Sequence, residues 1–137
     1  MTINYTYLED YIISLYKTMR ISKPHQLEIN HIANHLQLKV HYSSVSFRLG
    51  NVIVLQNSSK QREWQSFGHE VGHCLGHVGN QLKMFYMFRE LQEWQANTFA
   101  YHFCVPTYML EEINNPTVYE IMTQFNVEED FAHRRLE

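Results

Sequence analysis

The stretch Phe67-Gly68-His69-Glu70-Val71-Gly72-His73-Cys74-Leu75-Gly76-His77 decides how this chain is organised. It contains the pattern His-Glu-x-x-His, in which two histidines on one helix face bind a metal ion and the glutamate acts on a water molecule there. At about 100° per residue, His69 and His73 lie about 40° apart on a helical wheel, with Glu70 beside them. Apolar side chains occupy the opposite side of the wheel: Trp64, Phe67, Val71 and Leu75. The sequence therefore predicts a helix with one face toward a core and the other toward a metal site.

Three glycines, Gly68, Gly72 and Gly76, follow one flank of the same predicted helix. Each glycine weakens a helix by about 1 kcal/mol relative to alanine. Their presence predicts that another segment approaches the backbone closely. The candidates for that segment are the small residues Ala96 and Ala100 of a later helix, or the strand 52–55.

Composition limits the class of protein. The chain has 137 residues, 45% of them hydrophobic, and a net charge of −3, which predicts a single domain over 1–137. It has no basic run, so we expect no direct nucleic-acid partner. The two cysteines, Cys74 and Cys104, are typical of reduced core thiols. Neither a targeting signal nor a membrane-length apolar run is visible, so we expect a cytoplasmic protein without a membrane segment.

The first half of the chain predicts two helices followed by a small sheet. Helical periodicity covers 4–20 and, after a break at Pro24, 25–37. Residues from Lys39 to Asn57 are β-type, with a hairpin signal at Gly50-Asn51. The metal helix then begins near Lys60, with Ser58 or Ser59 as its cap. The predicted class is α+β: a mostly helical, small zincin-like domain with a short hairpin or three-stranded sheet before the metal helix. The strand 52–55 could offer a free edge to an extended peptide.

The second half is predicted to be helical. A long helix runs from Met84 to Cys104 and stops at Val105-Pro106. Short helices follow over 107–113, 117–124 and 127–136, and we expect residues 107–137 to cover the core. Thr117 and Glu120 form a predicted capping box, and Asn126 is predicted to cap the last helix.

The third metal ligand is expected on the long helix. Glu93 and Asn97 are four residues apart and share a face, so Glu93 is predicted to bind the metal and Asn97 to support it. Glu90 lies one turn earlier on nearly the same face and is the alternative ligand. His77 continues the histidine stripe, but it lies about 6 Å further along the helix axis than His73. We therefore predict that His77 is a polar neighbour of the site, with direct ligation as the alternative.

A second histidine pair, His31 and His35, also shares one helix face. No carboxylate accompanies this pair in a useful position, so a metal role is disfavoured there.

Two blocks of sequence together resemble the ImmA/IrrE metallopeptidase family. The first is the stretch 67–77, and the second is Glu93-Trp94-Gln95-Ala96-Asn97-Thr98-Phe99-Ala100, closed by Val105-Pro106. The resemblance extends from about Ile29 to the C-terminus. It departs at Gln95, where the family often has glutamate, but the wheel places Gln95 away from Glu93.

The resemblance implies a gluzincin-like site with His69, His73 and Glu93 as metal ligands and Glu70 as general base. The expected metal is zinc, with Mn²⁺ as an alternative. The implied substrate is a helix-turn-helix repressor of a phage or mobile element. The alternatives are a metal-containing anti-repressor that binds without hydrolysis and a toxin–antitoxin component. The candidates for a donor to the oxyanion are Tyr86, Tyr101, His102 and Tyr108.

Overall fold

A computed structural model describes residues 6–76 and 89–137 of the chain. Their elements, in chain order, are α1 (Tyr7–Thr18), a 3-10 helix (Pro24–Gln26), α2 (Ile29–His35), β1 (Lys39–Ser43), β2 (Phe47–Leu49), β3 (Val52–Gln56), α3 (Lys60–Gly76), α4 (Arg89–Cys104), α5 (Thr107–Leu110), α6 (Val118–Phe125) and α7 (Glu129–Leu136). The predicted class is confirmed: the fold is α+β and mostly helical, with a three-stranded sheet before the metal helix.

The predicted second helix is shorter than its periodicity indicates. The side chain of Gln26 accepts hydrogen bonds from the backbone N–H groups of Ser22 at 2.8 Å and Lys23 at 3.0 Å. These bonds close a 3-10 turn, after which Leu27 and Glu28 are extended, with ψ of 99° and 131°. The α-helix therefore begins only at Ile29.

The sheet has the order β1-β3-β2. The predicted hairpin at Gly50 is confirmed: β2 and β3 are antiparallel, and Gly50 has a φ of 59°, which glycine adopts at little cost. Strand β1 pairs with the other side of β3 in parallel. The prediction that the strand 52–55 has a free edge is therefore wrong. An uninterrupted apolar run such as Val52–Leu55 is typical of a strand buried at the centre of a sheet, and among the described residues β1 and β2 are the outer strands.

Helix α3 begins where predicted, at Lys60, and Ser59 caps it by accepting a hydrogen bond from the N–H of Arg62 at 3.2 Å. Its buried face carries Trp64, Phe67 and Val71 into the main core. The hydroxyl of Tyr16 on α1 donates to the carbonyl of Phe103 on α4 at 2.7 Å. The core therefore joins α1, α3 and α4.

The glycine flank of α3 packs against α4. A Cβ at Gly68 would lie 2.8 Å from Sγ of Cys104, and a Cβ at Gly72 would lie 3.3 Å from Cα of Ala96. The predicted close approach is confirmed at these two positions, and α4 rather than the strand is the approaching segment. The surroundings of Gly76 lie outside the described residues.

Both cysteines are free thiols, as predicted: Cys104 is fully buried and Cys74 is partly buried. None of the helices within 6–76 and 89–137 is long and apolar enough to cross a membrane.

The C-terminal helices cover the core next to α3 and α4. Helix α5 covers only part of the predicted 107–113. The capping box of Thr117 and Glu120 at the start of α6 is confirmed. Asn126 has a left-handed conformation, with φ of 58°, and ends α6. The prediction that Asn126 caps the following helix is therefore wrong, because Glu128 precedes α7 in an extended conformation and is its N-cap.

Candidate metal centre

Three metal-ligating side chains meet where α3 packs against α4. His69 and His73 lie one turn apart on α3, and Glu93 comes from α4. Nε2 of His69 lies 3.0 Å from one carboxylate oxygen of Glu93, and Nε2 of His73 lies 2.8 Å from the other. All three ligand atoms lie within 4.8 Å of one another. The residues predicted to form one site from two distant segments are therefore neighbours.

The donor set fits a small divalent cation. Zinc bound tetrahedrally at about 2.0–2.1 Å from nitrogen and oxygen holds its ligand atoms about 3.4 Å apart. The distances from Glu93 to the two histidines, 3.0 and 2.8 Å, are close to this value, so little movement of Glu93 is needed. Two imidazoles and one carboxylate also leave a position for water or substrate.

Glu70 lies beside this cluster and is almost buried, with 9% of its surface exposed. One of its oxygens, Oε2, is 3.6 Å from Nδ1 of His69. The other, Oε1, accepts a hydrogen bond from Nη1 of Arg48 at 2.8 Å. Arg48 lies on β2, and the sequence interpretation did not identify it. Its polar side chain between the apolar Phe47 and Leu49 was the available signal, but the signal did not say which element Arg48 would face.

The neighbouring charges act differently on the two histidines and lower the pKa of both carboxylates. The nearby Glu70 carboxylate raises the pKa of His69, and the Glu93 carboxylate adds to this effect against the opposing effect of burial. Burial lowers the pKa of His73, and the positive charges of Arg48 and His69 lower it further. Burial alone would raise the pKa of both Glu70 and Glu93, but interactions with the neighbouring histidines, and with Arg48 for Glu70, lower both. Both carboxylates are therefore charged at neutral pH.

A cleft of about 500 Å³ opens at the cluster. Ser46, before β2, borders it at one side. The aromatic rings of Tyr101 and Phe131, with centroids 4.6 Å apart, line another part. The other lining residues are Gln65, Ser66, His69, Glu70, Glu93, Asn97 and Ala100. The cleft therefore combines polar groups at the ligand cluster with an apolar wall supplied by α4 and α7.

The remaining predicted site residues have different placements. Asn97 lines the cleft near Glu93. Its predicted supporting role stays a prediction. His77 and the side chain of Glu90 lie outside the described residues, so the choice between Glu90 and Glu93 is not decided by a direct comparison of the two.

The residues predicted as candidate donors to the oxyanion lie in different places. Tyr101 lines the cleft, whereas Nδ1 of His102 is hydrogen-bonded to the carbonyl of Thr98 at 3.1 Å. The hydroxyl of Tyr108 donates to the carbonyl of Ile21 at 2.7 Å. Tyr86 lies outside the described residues. Of the described candidates, Tyr101 is the one that borders the cleft.

Comparison with known families identifies the group to which this arrangement belongs. The family model of the IrrE N-terminal-like domain, Peptidase M78, matches residues 25–137. The chain belongs to this family. The resemblance that the sequence indicated is thus confirmed, and with it a metallopeptidase-type function and a metal cofactor.

Two relatives come from Bacillus subtilis (strain 168). The chain is 37% identical over 143 residues to the phage-like element PBSX protein XkdA, and the match covers 96% of this chain and 72% of that protein. It is 34% identical over 142 residues to the uncharacterized protein YqaB, and the match covers 96% of this chain and 83% of that protein. The similarity to both relatives therefore extends over nearly the whole of this chain.

Proposed function

We propose that this protein is a zinc-dependent endopeptidase that inactivates a helix-turn-helix repressor of a phage or mobile element by cleaving it at a specific site. The observation that carries the proposal is the meeting of His69, His73 and Glu93 with an almost buried carboxylate, Glu70, directly beside them. The family supports peptide hydrolysis, and the phage-like element in the name of one relative supports the biological setting. Such a repressor acts in the cytoplasm, where we expect the enzyme to act as well.

In this proposal, Nε2 of His69, Nε2 of His73 and the carboxylate of Glu93 hold the metal. Imidazole nitrogens favour zinc over Mn²⁺, which prefers oxygen ligands. When bound, the ion would lower the pKa of a water molecule and polarise the scissile carbonyl.

Glu70 would serve as the general base. Its Oε2 lies 3.6 Å from Nδ1 of His69, and Glu70 lines the same cleft as His69 and Glu93. A carboxylate that is ionised at neutral pH can take the proton of the attacking water and then deliver it to the leaving amine. The near burial of Glu70 limits its exchange of protons with bulk solvent.

The substrate would bind as an extended segment along the edge of β2. Among the residues that the structure describes, this strand lies at the rim of the sheet, and the side chain of Arg48 reaches from it to Glu70 beside the metal centre. An extended peptide can add to such an edge by main-chain hydrogen bonds. The wall formed by Tyr101 and Phe131 would contact an apolar side chain of the substrate.

The alternative functions use the same surface without hydrolysis. A metal-containing module could sequester the repressor, or the protein could be part of a toxin–antitoxin pair. Such a module does not require Glu70, whose position beside the ligand cluster favours the enzyme.

The experiment incubates the zinc-loaded protein with the helix-turn-helix repressor encoded on the same element and follows both repressor fragments and operator binding. We expect defined fragments with the wild type and none after chelation. Glu70→Gln should keep the metal but lose cleavage by at least a hundredfold, because proton transfer by a positioned base contributes about 10²–10⁴-fold. Glu129→Gln, an exposed carboxylate-to-amide change on α7, is the matched control. Cleavage by Glu70→Gln at the wild-type rate contradicts the mechanism, and loss of operator binding without fragments supports sequestration.

A further inference from the structure

The position of Arg48 follows from the register of the sheet. Arg48 pairs with Ile53 of β3, and directly paired residues point to the same face of a sheet. Ile53 is fully buried, so this face is directed toward the helices. Phe47 and Leu49 point to the opposite face and are exposed by 49% and 74%. The edge strand therefore presents one cation toward α3.

The ion pair between Arg48 and Glu70 is sheltered. The distance between Nη1 and Oε1 is 2.8 Å, and the side chains are only 29% and 12% exposed. Charge-assisted hydrogen bonds of this length are about twice as strong as neutral ones. The pair therefore differs from an exposed surface ion pair, which contributes little to stability.

The two oxygens of Glu70 have separate surroundings. Arg48 occupies Oε1, while Oε2 lies 3.6 Å from Nδ1 of His69, and Glu70 lines the cleft at the ligand cluster. A carboxylate fixed through one oxygen has little freedom to rotate. Oε2, which Arg48 does not occupy, is therefore kept available for a water molecule.

We propose that Arg48 is a positioning residue: it holds Glu70 through Oε1 so that Oε2 is aimed at the attacking water. Because Arg48 belongs to the strand along which the substrate would bind, it also joins the docking edge to the general base. This inference rests on the proposed peptidase function. Lysine would replace Arg48 poorly. The guanidinium of arginine is planar and holds its donors in a rigid fork, whereas the ammonium of lysine is a point charge on a flexible side chain.

A probe that does not depend on turnover tests this role. Acetohydroxamate chelates zinc and forms a hydrogen bond with a carboxylate beside the metal. Its affinity for the zinc-loaded protein is measured by calorimetry for the wild type and for R48M, R48K, E70Q and the double variant R48M/E70Q. The control is R62M, which removes another arginine–glutamate pair of α3, from Arg62 to Glu128 at 3.1 Å.

We expect R48M to weaken acetohydroxamate binding by roughly tenfold, which is about 1.4 kcal/mol. R48K should recover only part of the loss, and R62M should bind like the wild type. In the E70Q background, the R48M change should cause no further loss, because Arg48 acts through Glu70. A loss that is equally large in the E70Q background would mean that Arg48 contacts the ligand directly, and it would overturn the positioning role. Unchanged affinity in R48M would overturn it as well.

Three results distinguish a failure of this inference from a failure of the proposed function. Absence of acetohydroxamate binding by the zinc-loaded wild type would refute the metal centre itself, and with it the proposed function. Thermal unfolding of the metal-free proteins tests the ion pair without zinc: R48M and E70Q should each lower the melting temperature, and the double variant should lower it by less than the sum. In steady-state cleavage of the repressor, R48M should lower kcat and leave KM nearly unchanged. A rise in KM alone would overturn the inference.

Discussion

Replacing Gly72 with alanine tests whether the close approach of α3 and α4 controls the metal centre. The added Cβ would lie 3.0 Å from Cδ1 of Phe99 and 3.3 Å from Cα of Ala96. Carbon atoms in contact prefer about 3.5–4.0 Å, so the neighbours must move by a few tenths of an ångström. The ring of Phe99 can turn, but Ala96 offers only its backbone. Relief of that contact therefore moves α4, which also carries Glu93.

The expected change in stability is the difference between two effects. Alanine improves helix propensity by about 1 kcal/mol over glycine. Overpacking of a dense core costs about 1–3 kcal/mol. We therefore expect Gly72→Ala to lower the free energy of unfolding by about 1 kcal/mol, which lowers the melting temperature by about 3 °C for a chain of this length.

Zinc affinity should fall more clearly than stability. A ligand must stay within about 0.5 Å of its productive position, and a shift of a few tenths of an ångström uses a large part of that tolerance, so we expect zinc binding to weaken by about tenfold. Denaturant unfolding of the metal-free protein measures the change in stability, and competition with a chromophoric chelator measures the change in zinc affinity. In a Phe99→Ala background, the ring contact is absent and Gly72→Ala should cost less. A gain of about 1 kcal/mol with unchanged zinc affinity would refute the packing argument, because it would show that alanine fits without moving α4.

Two other predictions concern the third ligand and alkaline stability. Glu93→Gln should weaken zinc binding by at least about tenfold, because an amide lacks the negative charge of the carboxylate ligand. Glu90→Gln should leave zinc affinity unchanged. The reverse result in chelator competition would make Glu90 the ligand. Burial raises the pKa of Tyr108 to about 12, from the ordinary tyrosine value of 10.0, so its contribution to stability is complete below pH 10 and is lost as pH rises toward 12. Tyr108→Phe should lower the free energy of unfolding by about 1 kcal/mol at pH 8 through the lost hydrogen bond to Ile21. In urea titrations the difference from the wild type should become smaller by pH 11, and a constant difference would contradict the assignment.

Local signals in the sequence were sufficient to predict those features of the fold that depend on a single helix or turn. The two-faced pattern of α3 predicted that Phe67 would lie in the core and that His69 would lie with His73. The capping box at Thr117 and the hairpin at Gly50 depend on neighbouring residues, and both are confirmed. These features need no knowledge of the rest of the fold.

Features that depend on a distant partner were missed or misplaced. The parallel pairing of β1 with β3 joins strands that are not consecutive, and it removes the free edge that was predicted for β3. Asn126 shows a local ambiguity, because asparagine suits both a helix N-cap and the left-handed residue that ends a helix. The end of α6 decides between the two, with the N–H of Asn126 bonded to the carbonyl of Met122.

Arg48 shows most clearly why the sequence alone was insufficient at the site. Strand alternation places it opposite Phe47 and Leu49, but it does not say whether that face meets a helix or solvent. Only the register with Ile53, together with the packing of the sheet on α3, brings its guanidinium to Glu70. Sequence periodicity gives the direction of a side chain relative to its own element, whereas the partner comes from the tertiary arrangement.

The site is built from two parts that the fold controls separately. The proposed metal ligands depend on the contact between α3 and α4, which is set on the flank of α3 by Gly72 against Ala96. We expect a change at that contact to move Glu93 relative to both histidines, although neither small residue is a proposed ligand. The direction of Glu70 depends on the sheet, through Arg48 on β2. Substitutions on the helix flank should therefore act on metal affinity, and substitutions on the edge strand should act on the general base while leaving the ligands in place.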